Sequence, residues 1–139
     1  MDRLFLDTNI VIDLLAKRSP FDKSAAGVAS LADLEKVELI VSALTFANAF
    51  YIISKYADSI KVKEEIRKFK ILTKTADLTD RILEKGFESS FVDFEDSLQY
   101  YCALSENCTH LITRNGKHFK NPVLPVMTAE EYLSSLKLS

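Results

Sequence analysis

The sequence predicts an α/β fold: about five short strands in a mostly parallel sheet, with helices on both faces. Three observations carry this. Short apolar runs alternate with longer stretches of helical periodicity along the whole chain. Most of the runs are apolar throughout rather than alternating, as strands buried on both faces require. The connections between them are long enough for helical crossovers, which parallel strands need.

The elements follow in order. Leu4-Phe5-Leu6 reads as the first strand, ending at Asp7-Thr8-Asn9, and Ile10, Val11, Leu14 and Leu15 recur at helical spacing after it. Pro20 stands where a second helix can begin, continued by residues 25–34. Leu39-Ile40-Val41 is the second strand. An apolar helix from about 44 to 56 follows, then a charged helix over roughly 59–70 with Ile60, Ile66 and Phe69 inward. Residues 71–75 alternate as a third strand. Leu78, Ile82 and Leu83 mark a helix that Gly86 helps end. Residues 93–106 form a strong helix with Phe94, Leu98, Tyr101 and Cys102 on its apolar face, and Asp96 and Tyr100 facing away. Leu111-Ile112-Thr113 is the fourth strand, and 123–127, broken by Pro125, an edge strand. Thr128 and Glu131 have the spacing of a capping box opening the last helix.

Composition narrows the function. With 139 residues the chain fits one domain, 1–139, with no repeat, linker or low-complexity tract. Hydrophobic residues make up 47% and charged residues 27%, which argues against disorder. The start Met-Asp-Arg and the lack of a long apolar run lead us to expect no signal peptide and no membrane span. Two cysteines, Cys102 and Cys108, are too few for a disulfide scaffold or a zinc site, so a cytoplasmic protein with reduced thiols is expected. Three glycines leave no GxGxxG. The one Gly-Lys pair, Gly116-Lys117, has Leu111 where a P-loop needs glycine. A net charge of −2 neither announces nor excludes a nucleic-acid ligand, since a basic rim around an acidic centre cancels in the sum.

Ligands of such sheets bind outside the carboxyl ends of the strands. Three polar clusters fall there: Asp7-Thr8-Asn9, Ser42 to Asn48 with Thr45 between, and Arg114-Asn115. Each has a plain structural role as well. Asp7 suits an N-cap, and Asp93 can cap the helix whose dipole Asp96 favours. Asn115-Gly116 is a turn signal, while Asn48 sits among Phe46, Ala47, Ala49 and Phe50, where an amide needs partners. Arg114, Lys117 and Lys120 suit either a phosphate-gripping rim or a solvated charge cluster. Together these clusters bring two or three carboxylates and two amides to adjacent strand tips. Crowded carboxylates repel unless a cation intervenes. Oxygen ligands of this kind suit Mg²⁺ or Mn²⁺, the cofactors of metal-assisted phosphodiester hydrolysis. A response-regulator receiver is disfavoured, because only Asp7 follows the first strand and no aspartate follows the third until Asp77.

At these residues the chain resembles the PIN-domain ribonucleases, best known as the VapC-type toxins of toxin–antitoxin systems. The resemblance rests on Leu-Phe-Leu-Asp7-Thr8-Asn9, Val-Ser42-Ala-Leu-Thr45, Asp93-Phe-Glu-Asp96-Ser-Leu-Gln99, and Ile-Thr113-Arg114-Asn115 followed by Phe119. It implies a PIN-like three-layer fold and an acidic site binding Mg²⁺ or Mn²⁺ for endonucleolytic RNA cleavage. Carried over by position, it makes Asp7 the first acidic ligand, Asp96 the third and Asp93 an accessory carboxylate. Thr8, Asn9 and Thr45 would orient ligands or water, and Arg114 and Lys117 would grip the RNA backbone. Two positions depart from the family pattern: Asn48 replaces a usual glutamate and Asn115 a frequent aspartate. Those amides would bind water or the scissile phosphate, and the site charge falls from about −4 to between about −2 and −3, which balances one cation. His118 precedes Phe119 at a position that is often acidic, so it stands either at the site edge or in a solvated loop. The resemblance further implies an antitoxin partner and homodimers. The alternative is a PIN-fold module that binds RNA or protein but no longer cuts.

Overall fold

The computed structural model describes residues 1–137. Five strands, β1 (Asp2–Leu6), β2 (Val37–Ser42), β3 (Lys74–Ala76), β4 (His110–Ile112) and β5 (Val126–Met127), form one sheet in the order β3-β2-β1-β4-β5. Every neighbouring pair is parallel, with Leu4 level with Leu39 on one side and His110 on the other. The helices are α1 (Thr8–Leu15), α2 (Asp22–Asp33), α3 (Ala43–Ile53), α4 (Ser59–Ile71), α5 (Asp80–Glu88), α6 (Phe94–Ser105) and α7 (Ala129–Leu136). The expected α/β sheet is therefore present, wholly parallel among the described residues. No helix among them is long and apolar enough to cross a membrane.

Alternation along the strands divides the core into two layers. Leu4, Leu6, Leu39, Val41 and Ile112 pack with Val11 of α1, Val28 of α2, Ala49 of α3, Ile66 and Phe69 of α4, and Tyr132 of α7. Phe5, Ile40, Leu111 and Ala76 face the other way, onto Ile82 of α5 and Leu98, Tyr100, Cys102 and Ala103 of α6. Running outward from β1, the chain first fills one side of the sheet and then the other. The order reverses between β1 and β4, the switch point at whose carboxyl ends sheets of this kind leave a crevice.

Some local expectations are corrected. The third strand is Lys74–Ala76, not 71–75, because α4 runs through Ile71 to its C-cap at Leu72. In α4 Val62 rather than Ile60 faces the core; Ile60 is exposed. In α6 Tyr100 is buried against Phe91 and Phe119, whereas Phe94 lies exposed in a stack with Phe87. The apolar stripe is thus rotated relative to the expected one, because loop aromatics from outside the helix cover its Tyr100 side. The capping box of Thr128 and Glu131 is formed at both of its hydrogen bonds.

Gly86 does not end its helix. It lies buried inside α5, where an added Cβ would come within 2.9 Å of both Leu98 Cδ2 and Ser97 Oγ. Its role is the close approach of α5 to α6. Gly86→Ala is expected to cost about 1–3 kcal/mol despite alanine's better helix propensity, as overpacking does. Denaturant unfolding checks this, and a stabilised variant would refute the packing account.

Candidate active site

The crevice collects side chains from three strand tips and two helix starts. Asp7 follows β1 and is buried. Its Oδ1 accepts from the Thr8 N–H (2.9 Å), capping α1, and its Oδ2 accepts from Thr113 Oγ1 (2.8 Å) just beyond β4. Parallel pairing of β1 with β4 brings Thr113 there, and the Asp7 N–H continues that ladder to the Ile112 carbonyl (3.0 Å). Capping and site placement are thus combined in one residue.

Gln99 of α6 is the fully buried hub. Its Nε2 donates to Thr45 Oγ1 (2.7 Å), to Thr8 Oγ1 (3.2 Å) and, more weakly, to Asp7 Oδ1 (3.4 Å). Its Oε1 accepts from Ser42 Oγ (2.8 Å). Ser42 also caps α3 through the Thr45 N–H, and Thr8 and Thr45 bond to each other at 2.9 Å. This network ties β1, β2 and α6 beneath Asp7. Sequence reasoning assigned Gln99 no role. The signal was present, because a glutamine one turn after an acidic helix start and beside an apolar stripe must satisfy its amide.

Asp93 caps α6 through the Asp96 N–H (3.0 Å) and is itself exposed. Asp96 stands one turn into that helix. Burial pushes its carboxyl up to about 6, assisted by the charges of Asp7 and then Asp93; a hydrogen bond from His118 and its charge pull the other way. His118 Nδ1 lies 3.1 Å from Asp96 Oδ2, which puts this histidine at the site edge. Asp96 therefore feels the charge of Asp7, 89 positions away along the chain. Glu95, which sequence reasoning passed over, accepts at Oε1 from Asn48 Nδ2 (3.1 Å) and Thr8 Oγ1 (3.2 Å). Asn48 is half-buried, and its amide thus makes a polar contact at the crevice.

Two expected residues are turned elsewhere. Arg114 does not stand free on the rim. Its Nε meets Asp13 Oδ2 at 2.9 Å as an ion pair without hydrogen-bond alignment, and its Nη2 donates to Asp13 Oδ1 at 3.2 Å. Its guanidinium also stacks 3.9 Å over Phe21. Asp13 is fully buried and takes Arg18 as a second partner at 2.8 Å, since a buried carboxylate needs cations about it. Asn9 belongs to the same cluster, accepting from Arg18 Nη2 at its carbonyl (3.3 Å) and Oδ1 (3.4 Å). The backbone N–H of Asn115 donates to Thr113 Oγ1, the turn role open to it. Lys117 remains exposed. With Phe91, Asp93, His118 and Lys120 it lines a groove of about 350 Å³ beside Asp96.

The donors at this crevice are carboxylate, hydroxyl and amide oxygens, a set that fits hard cations such as Mg²⁺ or Mn²⁺ and not zinc. Among the described residues no group of three or more His, Cys, Asp or Glu side chains is placed to hold a metal ion. The set fits an open site in which few carboxylates hold a cation and water completes its shell, as Mg²⁺ prefers.

A wholly parallel sheet between helical layers, with acidic groups at its switch point, defines a three-layer α/β domain. The chain belongs to the PIN domain family, whose model matches residues 3–117. It is 28% identical over 136 residues to Ribonuclease VapC1 of Aquifex aeolicus, covering 94% of this chain and 93% of that protein. Its fold matches VapBC2 of Rickettsia felis, solved on a promoter DNA fragment, with TM-score 0.68 and 20% identity over 90% of this chain and 96% of that one. It also matches Mycobacterium tuberculosis VapC20, described as a sarcin–ricin-loop-cleaving toxin, with TM-score 0.65 and 10% identity over 83% and 92% of the two chains.

Proposed function

We propose that this chain is a metal-dependent endoribonuclease of the VapC toxin type. What supports the reading is the charge of Asp7 acting on the Asp96 carboxyl at the switch point of a PIN fold, joined to the 28% identity with a VapC1 ribonuclease. Asp7 and Asp96 would hold the cation, with Asp93 in support. Bound there, Mg²⁺ or Mn²⁺ supplies positive charge to a scissile phosphate and acidifies water at neutral pH. The chain's own residues orient and bind. Thr113, Thr8 and Gln99 hold Asp7 in one geometry, while His118 steadies the Asp96 carboxylate. Lys117 and Lys120 face the groove beside Asp96, where they would pair with the phosphates flanking the cut. Asn115 and Asn48 bring amides to the margins and add no charge. The solved VapBC2 structure motivates a protein antitoxin as the partner that restrains the activity.

The test is cleavage of a panel of structured and single-stranded RNAs with Mn²⁺. Asp7→Asn is expected to lower the rate at least 100-fold, beyond the 10–100-fold cost of losing a residue that merely supports a metal ligand. EDTA is expected to stop cleavage and excess Mn²⁺ to restore it. Cleavage that persists in EDTA and in Asp7→Asn would remove the assignment. RNA binding without any metal-dependent turnover would favour a PIN-fold module that holds RNA without cutting it.

A further inference from the structure

Arg114 directly follows Thr113, the residue that holds Asp7. Beyond it the chain makes one turn of 3₁₀ helix, Gly116–His118, which brings Lys117 to the groove and His118 onto Asp96. Among the described residues, the backbone from 114 to 118 bonds only within this stretch and its two flanking residues. The Asn115 N–H donates to Thr113 Oγ1, the His118 N–H to the Asn115 carbonyl, and the Phe119 N–H to the Gly116 carbonyl. The polar ties of 114–118 to other elements are therefore two side chains: His118 on Asp96 of α6, and Arg114 on Asp13 of α1. The Arg114 tie is more than a surface contact. Asp13 is fully buried, and the Phe21 ring lies 3.9 Å from the guanidinium. Arg18 already balances the Asp13 charge at 2.8 Å, so neutrality does not call for a second cation. Nor is a buried ion pair a strong source of stability, because desolvation offsets its attraction. What a planar guanidinium between a carboxylate and a ring does supply is a fixed direction, which a flexible ammonium lacks.

We infer that Arg114 is a positioning residue. Clamped by Asp13 and Phe21, it fixes the turn that aims His118 and Lys117 at the crevice, and it does not touch RNA itself. The inference rests on the nuclease reading of that crevice. It gives the buried Asp13 a purpose and leaves the gripping of phosphates to Lys117 and Lys120.

The experiment joins amide hydrogen exchange to cleavage kinetics. Arg114→Lys keeps the charge but loses the fork and the ring contact. The N–H groups of Asn115, His118 and Phe119 are expected to exchange about tenfold faster in it, as the loss of a charge-assisted bond allows. Strand amides should keep their protection, which separates a loosened turn from unfolding. In cleavage with Mn²⁺, kcat is expected to fall about 10–100-fold, the cost of a small misplacement, with KM for RNA within about twofold of the parent. The slope of log affinity for RNA against log salt should match the parent's, whereas Lys117→Ala should flatten it by about 1. Asp13→Asn, too deep to meet RNA, should reproduce the loss in kcat, and the double variant should cost no more than the larger single one. Parental exchange at 115–119 in Arg114→Lys would overturn the clamp. Faster exchange with parental kcat would overturn the positioning role. A raised KM with a flattened salt slope would make Arg114 a phosphate contact and overturn it too. If the parent cuts no RNA, the nuclease reading falls, while the exchange result still decides whether Arg114 holds the turn.

Discussion

Asp96→Asn is expected to abolish RNA cleavage and to make the metal-free protein more stable at neutral pH. The first effect follows from losing a charged ligand. The second follows from the raised carboxyl. In the unfolded chain the group titrates at 3.8, and in the fold at about 6. Between those values the folded state binds more protons than the unfolded one, so stability falls as pH rises through the window. Above pH 6 the ionised Asp96 carries the full cost of burial beside Asp7 and Asp93. Two units at about 1.4 kcal/mol each set an upper bound near 3 kcal/mol. Asparagine gives up the charge-assisted bond from His118, which lowers the expected gain to about 1–2 kcal/mol.

For a chain of this size that corresponds to a thermal midpoint about 3–6 °C higher at pH 7.5. The difference should shrink as pH falls and approach zero by about pH 3, where both states of the parent are protonated. Mn²⁺ should reverse the ranking, since it stabilises only the form that binds it. For the same reason Mn²⁺ affinity of the parent should weaken as pH drops through 6. Melting curves of both proteins across pH, with and without Mn²⁺, measure all of this. A variant less stable than the parent at pH 7.5 and equal to it near pH 3 would refute the electrostatic account.

Gln99→Leu is expected to cost about 3 kcal/mol and lower the thermal midpoint by roughly 10 °C. Leucine fills nearly the same volume, so cavity formation is not the cause. What is lost is the one amide that satisfies Ser42, Thr45, Thr8 and Asp7 together. Thr8 and Thr45 can still bond each other, and Ser42 can still donate to Thr45, which limits the damage. Ser42 loses its contact to α6, and Asp7 Oδ1 loses a donor at the point where it should be aimed. Activity should therefore fall even at a temperature where the variant is fully folded. Gln99→Glu separates these effects, because it preserves the acceptor for Ser42 while removing the donor to Asp7. Equal cleavage by folded Gln99→Leu and parent would show the network to be purely structural.

Much of the site was legible along the chain because its components do local work. Asp7, Ser42 and Asp93 each follow a strand or loop and cap a helix, and capping leaves a recognisable pattern of residue types. The polar clusters at strand ends fall on one edge of the sheet, since parallel strands place all their carboxyl ends together. The misreadings share one cause. The neighbours Lys117 and Lys120 suggest a rim or a solvated charge cluster for Arg114, but a buried Asp13 from α1 captures it. The periodicity of α6 turns Tyr100 away from the apolar stripe, but Phe91 and Phe119 cover it from outside that helix.

By itself the sequence determined the wholly local facts: alternating apolar strands and amphipathic helices, hence the parallel α/β sheet, and the caps that put acidic residues at one edge. Only the tertiary structure decided which side chains meet there. Gln99 reaches Ser42 and Asp7, Glu95 is claimed by Asn48, and Asp96 feels Asp7 only because the strand order reverses between β1 and β4. Periodicity specifies a helix and its apolar stripe to within a rotation. Hydrogen bonds between residues dozens of positions apart depend on that rotation, and it is set by the elements that pack against the helix.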